Sequence, residues 1–464
     1  MNRFVNSHLS GPGGILQLLA IAMPMVISQA CETVMMFTDR LFLSQLTPIH
    51  MAAGMSGGLT AFMCTAFFIG LIGYTTPLAA QYLGSGNEKN CAIVATQALI
   101  ISIAAYPVML ACIPAGHWLF EIMGHHHKQR ELSIIYFDIL MYGSILPLVR
   151  NSLNGFFCGV GKTRIVMISS FVTMIVNVAV NYVLILGRLG FPSLGIKGAA
   201  IGTIIGGICG FLVVAAGYYL FHRDHPKYAI EKSVRFDSVM MKKLLRFGYP
   251  GGLEFFLNLL AFDLMVLLFH SYGPDAAAAF TITLNWDLAS FIPMIGVNIG
   301  VTSLVGRFMG AGEPDRAHRT THSGLKLAGI YSALMLLLFV VFPKPLVSIF
   351  MADPKNFHEL TDLAIFMVRL VALYVMADGV TLVYSGALRG AGDTFWTMVI
   401  SVCFHWLLVV ETVILVRVLR LPPRITWAIL VVTIPVVAAA FYLRYRSGRW
   451  RRLKVVESDT AVVI

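Results

Sequence analysis

Gly155-Phe-Phe-Cys-Gly159-Val-Gly161-Lys-Thr163 returns 231 residues later as Gly386-Ala-Leu-Arg-Gly390-Ala-Gly392-Asp-Thr394. A second pair precedes each copy. Gln81-Tyr-Leu-Gly84-Ser-Gly86-Asn87 stands 226 residues before Arg307-Phe-Met-Gly310-Ala-Gly312-Glu313, and Pro24 and Pro48 stand at that same offset from Pro250 and Pro274. The two halves of the chain are therefore duplicates. Apolar runs bounded by charge, Gly and Pro join these landmarks, and twelve fall between residues 15 and 443, six in each copy. An even number per copy means that both enter a bilayer in the same sense. Such parallel repeats are related by an axis along the membrane normal and place substrate sites between the halves.

Composition agrees. The 464 residues are 58% hydrophobic and only 12% charged, about half the charged share of a soluble domain. A span needs ~20 apolar residues to cross a ~30 Å hydrocarbon core, so twelve spans consume nearly the whole chain. The expected fold is an all-α integral membrane protein of two pseudo-symmetric six-helix bundles. Residues 1–221 form the first bundle, 222–246 a basic linker, 247–443 the second bundle and 444–464 a tail. The net charge of +11 reflects topology and not nucleic-acid binding, because Lys and Arg gather in the linker and the tail. Basic loops stay inside, so both termini are expected in the cytoplasm of an inner (plasma) membrane, multi-pass protein. An N-terminal signal peptide is not expected, since the apolar run continues to Leu46 and matches an internal helix of the second copy. The seven cysteines form no CxxC pair and read as packing residues.

A charged side chain at mid-membrane costs ~2.5–3.5 kcal/mol. Eight acids fall inside the predicted spans: Glu32, Asp39, Asp138, Glu254, Asp263, Asp287, Asp378 and Glu411. Ser28, Glu32 and Asp39 lie within about 40° of one another on a helix and form one polar stripe. The repeat places Glu254 at the counterpart of Ser28, Asn258 at that of Glu32 and Met265 at that of Asp39. Glu32, Asn258 and Asp287 are assigned to a substrate cavity. Asp263, opposite Glu254, is expected to pair with a buried Arg or hydroxyl. Asp138 occupies the repeat position of Arg369, so an ion pair between the halves is expected for such acids and for Arg150 and Arg369. Asn177 and Asn181 are one turn apart; they read equally as oxygens for a small cation or as interhelical hydrogen bonds. Gly198, Gly202, Gly206 and Gly210 make a small-residue stripe that admits a neighbouring backbone, with Thr203 beside it.

Two enzyme motifs fail. Gly159-Val-Gly-Lys-Thr163 lacks the leading glycine of a phosphate-binding loop, with Phe156 in its place. Gly390-Ala-Gly-Asp393 suggests an intramembrane aspartyl protease, but its copy has Lys162 in place of the Asp. Both read as one Gly-rich cytoplasmic turn, and no enzyme is expected. His125-His126-His127 reads as an exposed external loop.

With two parallel six-helix copies and the Gly386–Thr394 segment, the sequence resembles the multidrug and toxic compound extrusion (MATE) family over nearly its whole length. The resemblance implies a V-shaped pair of bundles that exports cationic or amphipathic compounds in exchange for H⁺ or Na⁺. It implies that Asp39 is the acid of the N-terminal lobe, with Asn177, Asn181 and Thr203 around it, and that Asp378 is the acid of the tenth helix. Two departures stand out: many relatives have Asp at Asn181, and the seventh-helix Glu of Na⁺-coupled relatives falls at Asn258, with Glu254 one turn away. Asp39 and Asp378, assisted by Glu32 and Glu254, are expected to bind coupling ion and drug competitively, with Na⁺ held transiently at Asp39, Asn177 and Asn181. No permanent cofactor or metal is expected, and the protein is expected to be a monomer. The alternative is a lipid-linked precursor flippase or polysaccharide exporter of related plan, whose cavity should be basic to hold pyrophosphate.

Overall fold

The computed structural model describes residues 11–122, 126–350 and 358–456; His125 and residues 457–464 of the tail lie outside them. The described chain is helical throughout. Eleven helices are long and apolar enough to cross a membrane, and the bent pair His127–Tyr142 with Ile145–Gly159, at 46°, makes a twelfth. In chain order the elements that matter are α1 (Ile15–Ser44), α2 (Pro48–Gly73), α3 (Thr75–Gly84), α4 (Glu88–Ala111), α5 (Ile113–Ile122), α6 (His127–Tyr142), α7 (Ile145–Gly159), α8 (Thr163–Leu186) and α9 (Ile196–Asp224). After the short α10 (Ile230–Ser233) come α11 (Ser238–His270), α12 (Pro274–Gly310), α13 (Pro314–Val341), α14 (Pro343–Ser348), α15 (His358–Ala391), α16 (Thr394–Val413), α17 (Pro423–Thr433) and α18 (Pro435–Arg446).

The chain condenses into two compact units. Among the described residues one takes 27–256 with 456 and the other takes 11–26 with 257–455. The first helix of each copy is thus shared, α1 changing unit after Val26 and α11 after Phe256. Each carries a proline shortly before that change, Pro24 in α1 and Pro250 in α11, where a missing N–H weakens the helical ladder.

The duplication is visible in the backbone. Gly86, Gly161, Gly312 and Gly392 all have φ between 74° and 95°. In each case the following N–H reaches back five residues, Asn87 to Tyr82, Lys162 to Phe157, Glu313 to Phe308 and Asp393 to Leu388, at 2.8–3.0 Å. This is the Schellman ending, in which a left-handed glycine lets the last helical carbonyls find donors. The other glycines of the repeated motif are not in the turn. Gly155 and Gly159 lie inside α7, where an added Cβ would sit 2.8 Å from Thr75 Cβ and 2.7 Å from Ala79 Cβ of α3. Gly386 and Gly390 do the same in α15, 2.9 Å from the Asn298 carbonyl and 2.7 Å from that of Thr302 in α12. What reads in sequence as one Gly-rich turn is a helix-packing face followed by a single turn glycine.

The basic linker is anchored to the first unit. Helix α9 runs on to Asp224 and α11 starts at Ser238. Gln97 of α4, fully buried, donates to the Arg235 carbonyl at 2.8 Å and accepts from the Asp237 N–H at 3.1 Å. Asp237 in turn accepts from the Met240 N–H at 3.0 Å, capping α11.

Candidate functional site

In the unit of residues 27–256 the polar stripe of α1 faces α7 and α8. Ser28 Oγ meets Ser170 Oγ at 2.7 Å, Arg150 donates to Glu32 at 2.7 Å, and the Asn181 amide donates to Asp39 Oδ1. That face of α8 is fixed by the glycine stripe of α9. Cβ atoms added at Gly202 and Gly210 would lie 1.9 Å from Asn181 Oδ1 and Thr173 Oγ1, and one at Gly206 would lie 3.0 Å from Asn177 Cβ. Only bare glycines let α9 close on these side chains. Asn177 and Asn181 are consequently fully buried, while Asp39 keeps partial exposure.

The amides are connected in series. Asn181 Nδ2 also donates to Asn177 Oδ1 at 3.2 Å, and Asn177 Nδ2 donates to Thr203 Oγ1 at 3.5 Å. Thr203 passes its own hydrogen to the Ala199 carbonyl at 3.1 Å. Asn177 and Thr203 stand near the Asp39 carboxylate, and Tyr136 of α6 stands near both Thr203 and Asp39. The Asn181 Oδ1 oxygen is buried and has no hydrogen-bond partner among the described residues. Asp39, Asn177, Asn181 and Thr203 therefore form one cluster holding a single carboxylate and a spare, buried amide oxygen.

Glu32 has a different neighbour from Asp39. Its partner Arg150, 12% exposed against 41% for the Glu32 side chain, also donates to Thr173 Oγ1 at 2.9 Å. Asp138 pairs with His117 of α5 at 2.7 Å. The ion pairs expected between the halves are thus replaced by local ones for Arg150 and Asp138, because α7 and α6 deliver them to acids and bases of their own unit. Arg369 is exposed.

In the other unit Gly386 and Gly390 hold α15 against α12, aided by Asn298, whose amide donates to the Leu382 carbonyl at 2.6 Å, and by Thr302, donating to that of Gly386 at 3.1 Å. Two to three turns up the paired helices, Asp287 of α12 and Asp378 of α15 come within electrostatic range of each other. Tyr374, one turn before Asp378, lies beside Asp287. Asn258 donates to Ser401 Oγ of α16 at 2.8 Å. Glu254 is 4% exposed and lies in α11 on the 27–256 side of the division, so it does not join the Asp287–Asp378 group within one unit. Asp263, expected to find a buried partner, has one buried oxygen without any among the described residues. Asp393 forms a two-pronged ion pair with Arg444 at 2.7 and 3.0 Å, which fastens the second motif turn to α18. Among the described residues no three His, Cys, Asp or Glu side chains gather to hold a metal.

The MatE family model matches residues 24–183 and 250–412, the two copies that the repeat defines. The chain belongs to this family. MatE members are multidrug efflux transporters with multiple membrane spans, and not enzymes. Similar curated proteins include the probable multidrug resistance proteins NorM of Shewanella oneidensis, 27% identical with 84% of each chain covered, and of Thermotoga maritima, 25% identical over 96% of this chain and 94% of the other. The fold is shared with a MOP superfamily transporter from Pyrococcus furiosus, described as having a binding pocket of reverse polarity, at a TM-score of 0.87, 21% identity and coverage of 96% and 98%. A MATE protein crystallised with MaL6 matches at 0.86, also at 21% identity, over 96% and 99%.

Two members of the MatE clusters escaped sequence reasoning. Tyr374 was accessible to it, because four residues before Asp378 is the same helical face. Tyr136 was not, since nothing local connects α6 to Asp39.

Proposed function

We propose that this MatE transporter is a secondary active exporter that exchanges organic cations or amphipathic drugs for H⁺ or Na⁺, from an inner membrane with both termini cytoplasmic. The Asp39 cluster carries the reading. It offers the Asp39 charge on α1 together with the unused oxygen of Asn181, the Asn177 oxygen and the Thr203 hydroxyl on α8 and α9, two helices held together by the glycine stripe. A lone carboxylate in a poorly solvated place is stabilised by taking up a proton or a small cation. Either one neutralises the site and weakens its attraction for an organic cation. Asp378 with Asp287 and Tyr374 supplies a second acidic group for the same competition. Glu32 contributes by balancing Arg150, and Asn258 by its bond to Ser401. No cofactor enters this scheme.

The alternative, a flippase for lipid-linked pyrophosphates, requires basic groups free to meet phosphate. Arg150 is engaged with Glu32 and Thr173, which supports the cation exporter over it. The test is ethidium transport in proteoliposomes under an imposed pH or Na⁺ gradient. Transport should follow one of the gradients and disappear in the Asp39→Asn, Asp378→Asn double variant; unchanged transport in that variant refutes the site assignment, and transport indifferent to both gradients refutes exchange.

A further inference from the structure

Helix α13 changes character along its length. Residues 314–323 include Asp315, Arg316, His318, Arg319 and His322, whereas residues 324–341 hold a single charge, Lys326. The apolar part alone is ~27 Å long at 1.5 Å per residue, close to the thickness of a hydrocarbon core. The first turns therefore stand outside it, at the end where Arg451, beyond α18, meets Asp315 at 3.1 Å. His318 and His322 are four residues apart and share one helical face, the spacing at which two helical histidines hold a metal ion.

The two side chains have closed on each other. His322 Nε2 lies 3.1 Å from His318 Nε2, with the ring planes at 89°. His322 is exposed and His318 half-buried, so the nitrogens can be reached from the His322 side. Behind them, His318 Nδ1 meets the Tyr445 hydroxyl of α18 at 2.8 Å. Tyr445 is nearly parallel to the His318 ring, at 16°, and to Trp450, at 18°. Trp450 is 1% exposed, so this stack fixes the His318 ring. Without an ion, one Nε2 must carry the hydrogen that the other accepts. Once each ring carries its hydrogen on Nδ1, both Nε2 lone pairs are free, and an outer partner such as the Tyr445 oxygen is what sets the tautomer of a ligating histidine. Two nitrogens 3.1 Å apart that each lie ~2.0–2.1 Å from one ion subtend roughly 95–100° at it, an angle between the tetragonal and tetrahedral values.

The surrounding charges select the ion. Glu313 is engaged by Arg316 and Asp315 by Arg451, while Arg319 and Lys326 add positive charge. A hard cation such as Mg²⁺ depends on carboxylates and finds none to spare. Imidazole-seeking transition metals do not need one, and Cu²⁺ binds such nitrogens most tightly of the divalent series. We propose that His318 and His322 form a binding site for one imidazole-preferring divalent transition metal ion, with water in its remaining positions. The site shares no residue with the Asp39 and Asp378 clusters and does not rest on the exchange reading.

The experiment titrates Cu²⁺ into the detergent-purified full-length protein, its affinity tag removed, with electron paramagnetic resonance as readout. One saturable Cu²⁺ per chain with imidazole-nitrogen couplings is expected, and excess Mg²⁺ should not displace it. Tyr445→Phe keeps both ligands and should weaken binding about 10- to 100-fold, as loss of an outer partner does. His322→Gln alters an exposed side chain, should melt with the wild type, and should weaken binding further because a ligand is gone. The His125→Ala, His126→Ala, His127→Ala variant should retain the ion, and so should the Asp39→Asn, Asp378→Asn double variant, which separates this site from failure of the exporter mechanism. Absence of saturable binding, wild-type affinity in His322→Gln, or loss of the ion from the triple-histidine variant overturns the proposal.

Discussion

Replacing Gly202 by alanine should shift the ion dependence of exchange without touching any acid. The new Cβ would lie 1.9 Å from Asn181 Oδ1, whereas ordinary contact begins at 3.4 Å, so the amide has to retreat by about 1.5 Å in a packed interior that resists it. Asn181 is fully buried, and the same amide supplies the hydrogen bonds to Asp39 and Asn177. A hydrogen bond to a carboxylate contributes ~1.5–3 kcal/mol, equivalent to roughly 10- to 100-fold in affinity. Because that bond stabilises the charged carboxylate, its loss should lower the half-saturating H⁺ concentration in proteoliposome exchange by that factor. Gly210→Ala is the control. Its Cβ would strike Thr173 Oγ1 at the same 1.9 Å, but Thr173 braces Arg150 and not Asp39, so it should lower thermal stability and leave ion affinity nearly unchanged. Wild-type ion dependence in Gly202→Ala, or equal shifts in both variants, would refute the reasoning.

Further outcomes follow from the same geometry. Asn181→Asp places a second carboxylate beside Asp39 and should lower the half-saturating Na⁺ or H⁺ concentration several-fold; a flat titration argues against this cluster as the ion site. Glu32→Gln leaves Arg150 with Thr173 alone and should cost about 1–2 kcal/mol, less than the ~3–5 of a fully buried pair because Glu32 is 41% exposed; Glu32→Gln, Arg150→Met should recover most of the lost melting temperature. Asp393→Asn breaks a pair whose side chains are only 6% and 14% exposed and should destabilise by about 3 kcal/mol, read as a lower melting temperature. Gly161→Ala and Gly392→Ala force an L-residue to φ of 74° and 95° and should each cost ~1–2 kcal/mol, whereas Gly73→Ala, which meets open space, should cost much less.

The architecture was legible because two of its causes are local. A twenty-residue apolar run is forced to be a helix in lipid, since its backbone groups have no other partners. A glycine after such a run, four times at repeat-equivalent positions, announces the same helix ending four times. The reading erred where one residue type serves two purposes. Gly159 and Gly390 looked like turn residues beside Gly161 and Gly392, yet with Gly155 and Gly386 they serve as packing surface, and only the identity of the facing helix separates the two uses. The same holds for the linker, where the anchoring side chain is Gln97, more than a hundred residues away.

The acids divide along the same line. Helical spacing correctly grouped Ser28, Glu32 and Asp39 on one face, because a 3.6-residue period is a property of the helix itself. It could not say which neighbour each would meet. Glu32 and Asp39 are seven residues apart, yet one lies against the Arg150 guanidinium and the other against an amide. That difference is decided by α7 and α8, whose approach depends on the α9 glycines. Charge balance on a stripe is therefore a tertiary property, and the consequence is functional. The acid that meets Arg150 is held in an ion pair, whereas Asp39 is hydrogen-bonded by an amide and has no ion pair among the described residues. On the proposed exchange reading Asp39, not Glu32, is the acid open to a coupling ion, and the α9 glycines, by seating Asn177 and Asn181 at that height of α1, set the two acids apart.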